Sequence, residues 1–204
     1  MSELAEEQKK QAIWCAHTLF VLGKTSGSSG NISFRIGEHV YISAGNTCFG
    51  TLSEDDFSVI TMQNTYLAGK KPSKESPMHL AFYKAHPDMQ AVIHTHGRYA
   101  VLWSCVPTLK EDNCIPAYTP YLNMKLGTVG LIPYASPGTE KLFQEFESHR
   151  REQGIFAEAA RCYCGGKRYY GCFLWIGGTG RGCQNSMGTY ACRSEGYSCD
   201  RVGS

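Results

Sequence analysis

The sequence predicts an α/β sandwich built around one sheet, and three observations carry that expectation. Apolar residues recur at helical spacing in some segments and alternate in others. The two kinds of segment are interleaved up to about residue 154. A chain of 204 residues also suits one domain with a proper hydrophobic core.

Taken in order, residues 3 to 22 carry Ile13, Ala16, Leu19 and Phe20 at helical spacing, and Gly23 closes the run. The loop TSGSSGN follows, where Gly27 and Gly30 permit backbone angles closed to other residues. NISFRI and HVYIS alternate as strands do and are joined at Gly37-Glu38 as a hairpin, and FSVIT reads as a third strand. From Lys74 to His86 the pattern is helical, with Met78, Leu80, Ala81 and Phe82 available for a buried stripe. AVIHTH is a strand, RYAVLWSCV a helix and VGLIPY another strand. TEKLFQEFESHRRE is an amphipathic helix with Leu142, Phe143 and Phe146 on one side. Past residue 154 the grammar breaks: the tail has no sustained period of 3.6 or 2 and is crowded with Gly, Cys, Arg and Tyr. The expected division is therefore a domain over 1–154 and a tail over 155–204.

Composition narrows the function. A formal net charge of +2, from 20 basic and 18 acidic residues, gives no electrostatic footprint for nucleic acid or an anionic membrane. No run approaches the roughly 18 apolar residues of a membrane span. The start, MSELAEEQKKQ, is charged and amphipathic without a signal-peptide core, so a cytoplasmic location is expected. The partner is then a small molecule or another copy of the chain. Of ten cysteines, four (Cys15, Cys48, Cys105, Cys114) fall in residues 1–154 and six (Cys162, Cys164, Cys172, Cys183, Cys192, Cys199) in the last fifty. Disulfide frameworks belong mostly to short secreted chains, and the tail spacings do not match paired C-x₂-C zinc patterns.

The chemistry concentrates in AVIHTHG, residues 91–97. Side chains alternate along a strand, so His94 and His96 point the same way with Cα atoms about 6 to 7 Å apart. Two imidazoles so spaced can converge on one ion, each at about 2.0 to 2.1 Å; the alternative is a pair of ordinary histidines at a strand end. Glu75 opens the helix in KPSKESPMHL, where a carboxylate favours the macrodipole and can equally serve as an oxygen ligand or proton-transfer group. SGSSGN, residues 26–31, offers backbone N–H groups and hydroxyls suited to a phosphate, although many such loops are merely flexible.

In this order and spacing, SGSSGNISFR, KPSKE and AVIHTHG resemble the class II aldolase/adducin family, over about residues 8–154. TPYLNMKLGTVGLIPYASPG, residues 119–138, looks most like the branch that decarboxylates 3-oxo-tetronate 4-phosphates. The resemblance implies a three-layer α/β/α sandwich around a central, mainly antiparallel sheet. It implies a homotetramer and a divalent ion, Zn²⁺ or another such as Mn²⁺ or Co²⁺, near a subunit interface. By position, His94, His96 and Glu75 would be metal ligands, with Glu75 also the acid/base group. Gly30, Asn31, Ser73 and Lys74 would lie around the phosphate of a small sugar acid. Ala44-Gly45-Asn46 departs from the family's Thr-Gly pair, which puts a phosphate contact there in doubt.

The implied reaction releases CO₂ from a 3-oxo acid and yields dihydroxyacetone phosphate through a metal-stabilised enediolate. A Lewis acid is worth several kcal/mol against the charge that develops, and a carboxylate shuttling a proton typically contributes about 10² to 10⁴ in rate. A sugar-phosphate aldolase or epimerase would use the same enediolate.

One expected ligand is missing. The family takes a third histidine from a downstream HG motif, yet the only histidine after His96 is His149, which sits in a charged helical stretch and reads as a solvated surface group. Codons from Ile155 onward, read one base late with free synonymous choice, can encode FLLKQHGAIV and then GGKDIMDAFYGLEELEEAAK. The histidine codon would straddle Ala160 and Arg161. Such a tail gives the strand-HG-strand and acidic amphipathic helix that the resemblance calls for, whereas the written tail gives neither. A one-base frame change near Gly154 is therefore expected, with weakened metal affinity and low or absent activity. A catalytically inactive scaffold is the competing outcome, and a genuine Cys/Gly-rich tail the competing origin. Sequencing the gene across the Gly154 codon is expected to show the HG-encoding frame; a gene in which no frame encodes that motif and an EELEE-type helix rules the frame change out.

Overall fold

The computed structural model describes residues 3–106, 108–110, 113–115, 129–136, 139–148, 154–157 and 161–166. The chain enters through α1 (Glu3–Val21) and turns at Gly23, whose φ of 63° suits the left-handed backbone of a helix exit. The hairpin β1 (Gly30–Ile36) and β2 (His39–Ser43) follows, pairing Ile36 with His39 around Gly37, where φ is 58°. Two short 3₁₀ turns, at Phe49–Thr51 and Glu54–Asp56, lead to β3 (Phe57–Thr61) and β4 (Tyr66–Gly69). Then come α2 (Ser76–Ala85), β5 (Ala91–Thr95), α3 (Arg98–Ser104), β6 (Gly130–Ile132), α4 (Glu140–Ser148), β7 (Gly154–Ala157) and β8 (Arg161–Gly166).

The eight strands form one sheet in the order β4-β3-β2-β1-β5-β8-β7-β6. All its pairings are antiparallel except β6 with β7. Strand alternation divides the core between the two faces. On one face Ile32, Phe34 and Ile93 pack with Ala12, Cys15, Ala16 and Leu19 of α1 and Ala100 and Trp103 of α3. On the other, Val40, Ile42 and Val92 pack with Met78, Leu80, Ala81 and Phe82 of α2 and Leu142 and Phe146 of α4. The result is the expected three-layer sandwich around a mainly antiparallel sheet.

Three local differences have physical causes. The strand β4 was not foreseen: all four of its residues are exposed, so it shows no apolar alternation, and it pairs with β3 across an irregularity at Val59/Ile60. The helix α2 begins at Ser76, not Lys74, because Glu75 takes the N-cap position with φ −95° and ψ 6° and Pro77 occupies the first turn. The sheet also continues past residue 154. Backbone N–H and C=O groups are available at every residue whatever the side-chain pattern, and β8 uses them to pair with β5 on one side and β7 on the other. His149, residues 119–128 and the tail beyond 166 lie outside the described residues. Among the described residues Cys48 and Cys105 are free thiols, and no helix is long and apolar enough to cross a membrane.

The face shared by α2 and α4 is pinned by an edge-to-face pair, Phe82 and Phe146, with ring centroids 5.0 Å apart and both rings fully buried. Phe146→Ala should cost about 3 to 5 kcal/mol, read as a lowered urea midpoint; a loss under 1 kcal/mol would show that α4 contributes little to this core.

Candidate functional site

The register of β1 against β5 decides where the polar residues meet. Asn31 stands opposite His94, so the two side chains share the face of the sheet that α2 covers. Gly30 begins β1 with φ 134°, and a Cβ there would come 2.9 Å from the His94 carbonyl oxygen. Only glycine lets the strand start this close to β5.

From the helix side, Pro72 bridges to Ala44, so the Lys71–Glu75 segment is held across the end of β2. Ser73 and Glu75 are both buried. The Ser73 hydroxyl accepts from the Glu75 backbone N–H at 3.3 Å and from the Asn31 amide at 3.3 Å. The Asn31 Nδ2 group also donates to Oε2 of Glu75 at 2.7 Å. That same oxygen lies 2.7 Å from Nδ1 of His94, which is 1% exposed. His96, half-buried just after β5, sets its ring 4.8 Å from that of His94, tilted by 54°.

These groups line a cleft of about 470 Å³. Gly30, Asn31, Ser73, Lys74, Glu75, His94 and His96, the seven residues singled out in the sequence, all contribute to its wall. Lys74 is exposed at the rim, whereas Asn31 is 5% exposed and turned to Glu75 and Ser73. The cleft is also lined by Ser28, Ser29, Lys71 and the stretch Ala44–Asn46, in which Asn46 has φ 64°. The Thr25–Ser29 turn is closed by its own hydroxyls: Thr25 donates to the Ser29 carbonyl and Ser29 to the Ser26 carbonyl.

Sequence reasoning missed what stands behind this wall. His79, fully buried on α2, reaches Oδ1 of Asn31 through Nε2. Its Nδ1 lies 2.7 Å from Oγ of Ser33, which lies 2.7 Å from the Tyr83 hydroxyl. A signal for this was present: Asn31, Ser33 and Arg35 alternate along one strand face, while Glu75, His79 and Tyr83 recur every four residues on one helix face. Burial pushes the His79 imidazole down to about 3 from its ordinary 6.5; the neighbouring His94 adds to the fall and Glu75 partly opposes it.

One carboxylate and two imidazoles on one wall match the donor chemistry of a divalent cation such as zinc. Among the described residues, however, no three His, Cys, Asp or Glu side chains are gathered as a ready metal site. Glu75 and His94 are already in contact, and His96 stands beside them.

The family model for the class II aldolase and adducin N-terminal domain matches residues 10–166. The chain belongs to that family. It is 36% identical over 149 residues to the 3-oxo-tetronate 4-phosphate decarboxylase of Haemophilus influenzae, spanning 72% of this chain and 70% of that protein. It is 32% identical over 133 residues to the L-fuculose phosphate aldolase of Methanococcus vannielii, 65% of this chain and 70% of that one. Among solved structures, YgbL from Klebsiella pneumoniae matches with a TM-score of 0.85 at 26% identity, covering 88% of this chain and 87% of that one. YgbL from Escherichia coli, at 24% identity and a TM-score of 0.86 over 89% of each chain, shares the fold. Decarboxylases and aldolases both break carbon–carbon bonds, so the chain stands among carbon–carbon lyases of a family whose members generally use a divalent metal.

The buried His79 predicts a pH dependence. Between about pH 6.5 and 3 the unfolded chain takes up a proton that the folded chain refuses, so folding stability falls as pH falls, by roughly 1 kcal/mol per pH unit. Urea unfolding of the unmodified chain and of His79→Gln at pH 7 and pH 5 should show the steeper loss in the unmodified chain. Equal losses would mean that His79 takes up a proton as readily in the fold as in the unfolded chain.

Proposed function

We propose that this chain descends from, and is built as, a decarboxylase of a 3-oxo-tetronate 4-phosphate that yields dihydroxyacetone phosphate and CO₂. The observation that carries the reading is the meeting of Glu75, His94 and Asn31 in a cleft that Ser28, Ser29 and Gly30 also line. The similarity to proteins named as decarboxylases of this substrate supports it. Glu75, His94 and His96 would hold the divalent ion, zinc or a similar metal. Such an ion, when bound, supplies Lewis-acid stabilisation of the negative charge left on the substrate as CO₂ departs.

The chain's own residues do the rest. Gly30 and Ser73 face the cleft where backbone and hydroxyl donors can grip a phosphate, and Lys74 at the rim adds a positive charge. Anchoring that end orients the carboxylate to be lost. During turnover Glu75 would leave the ion, take up a proton from solvent and pass it to the carbon that lost CO₂, its oxygen steered by the Asn31 amide. A homotetramer and a cytoplasmic location form part of the same proposal.

The site is impaired in the chain as written, because the third histidine is absent. The sheet register supports this. Strand β8 pairs Tyr163 with His94 and Cys162 with Thr95, and Arg161, its first residue, lies next along toward the end of β5 that His96 follows. The histidine codon of the other frame straddles Ala160 and Arg161, so a frame-restored chain would bring a third imidazole beside the first two. An aldolase of the same family is the second reading, favoured by the 32% identity to L-fuculose phosphate aldolase; release of an aldehyde in place of CO₂ distinguishes it.

Calorimetric zinc titration and CO₂ release should both be weak in the chain as written and rise together once the frame is restored. Glu75→Gln in the restored chain should then lower turnover by about 10² to 10⁴. Tight binding of one metal per subunit with full turnover by the chain as written would overturn the impairment.

A further inference from the structure

The buried polar groups behind Glu75 form a chain whose direction can be worked out atom by atom. As a carboxylate, Glu75 only accepts, so the Asn31 group 2.7 Å from its Oε2 is the amide N–H. The other Nδ2 proton goes to Ser73. This leaves Oδ1 of Asn31 as an acceptor, and the His79 nitrogen that meets it, Nε2, carries a hydrogen. His79 is neutral in its buried site, so Nδ1 is its acceptor, and the Ser33 hydroxyl donates to it at 2.7 Å. Ser33 Oγ, having spent its proton, accepts from the Tyr83 hydroxyl at 2.7 Å. Ser33 and His79 are wholly buried and Tyr83 nearly so, where an unmatched donor or acceptor costs about 1 to 3 kcal/mol. Reversal of any one link would set two lone pairs or two hydrogens face to face. At the outer end the Arg35 guanidinium lies 5.9 Å from the Tyr83 ring and donates to the Pro87 carbonyl at 2.9 Å.

We propose that Tyr83, Ser33 and His79 are positioning residues: a one-way chain of hydrogen bonds that locks the Asn31 amide with its N–H toward Glu75 and so selects the Glu75 oxygen presented to the cleft. Without the chain Asn31 is free to turn over, putting its carbonyl against the carboxylate, a repulsive arrangement that swings Glu75 away. His79 touches neither substrate nor metal; it acts through Asn31. The functional meaning rests on the role proposed above for Glu75, while the chain of hydrogen bonds stands on geometry alone.

Nuclear magnetic resonance of the full, metal-free chain with ¹⁵N-labelled histidine and asparagine tests it directly. His79 is expected as the neutral Nε2–H tautomer from pH 5 to 8, and an Nδ1–H tautomer or a cation in that range overturns the proposal. The Asn31 side-chain amide should exchange slowly. His79→Leu should speed that exchange at least tenfold, whereas His79→Gln, which keeps an N–H at the Nε2 position, should hold it within about twofold. Equal exchange in the two variants overturns the proposal, and the tautomer result decides the matter alone if His79→Leu does not fold. Zinc titration of the frame-restored chain reads the Glu75 proposal separately: a restored chain that shows the Nε2–H tautomer but takes up no zinc removes the metal role and leaves the positioning chain in place.

Discussion

Pairing of β1 with β5, in the one register that sets Asn31 across from His94, is the constraint from which the site follows. A shift of β1 by one residue would send Asn31 and Ser33 to the α1 face, away from His94, and bring Ile32 and Phe34 against α2. Both apolar clusters would then be mismatched. The register is therefore held by the burial of Ile32, Phe34, Ala91 and Ile93 on one side and Val92 on the other, and the polar residues take their places as a consequence. Gly30 makes the last step possible, since its missing Cβ lets the His94 carbonyl approach.

Burying so many polar groups beside an apolar core is costly unless each is matched. Helix α2 shows how the match is made. Its Met78, Ala81 and Phe82 belong to the apolar cluster under the sheet, while Glu75, His79 and Tyr83 form a stripe at four-residue intervals that faces the polar side chains of β1. One helix thus supplies packing and hydrogen-bond partners at once, and the carboxylate at its N-cap inherits the rigidity of both. The direct contact of Glu75 with His94 ties β5 into the same assembly.

Most of the fold was legible because its period was strong. The segments around Ile13–Phe20, NISFRI, FSVIT and AVIHT each became the element that its apolar pattern indicates. The exposed β4 carried no such pattern, and β7 and β8 enter the sheet through backbone pairing that side chains do not announce. At the site, Glu75, His94 and His96 stood out as residue types with metal chemistry. His79, Ser33 and Tyr83 did not, because a lone serine or tyrosine within an apolar segment looks ordinary until the facing element is known. Only the joint reading of period two in β1 and period four in α2 reveals that they match.

The position of β8 within the sheet has a consequence for how β5 is shielded. β8 is inserted between β5 and β7, so it covers the outer flank of the strand that bears His94. A message ending at Gly154 would leave β5 as a naked border with its amides and carbonyls turned to water, an invitation to self-association. An extended segment seated there closes that border through main-chain bonds alone, so the flank of the histidine-bearing strand is sealed whatever side chains the segment carries.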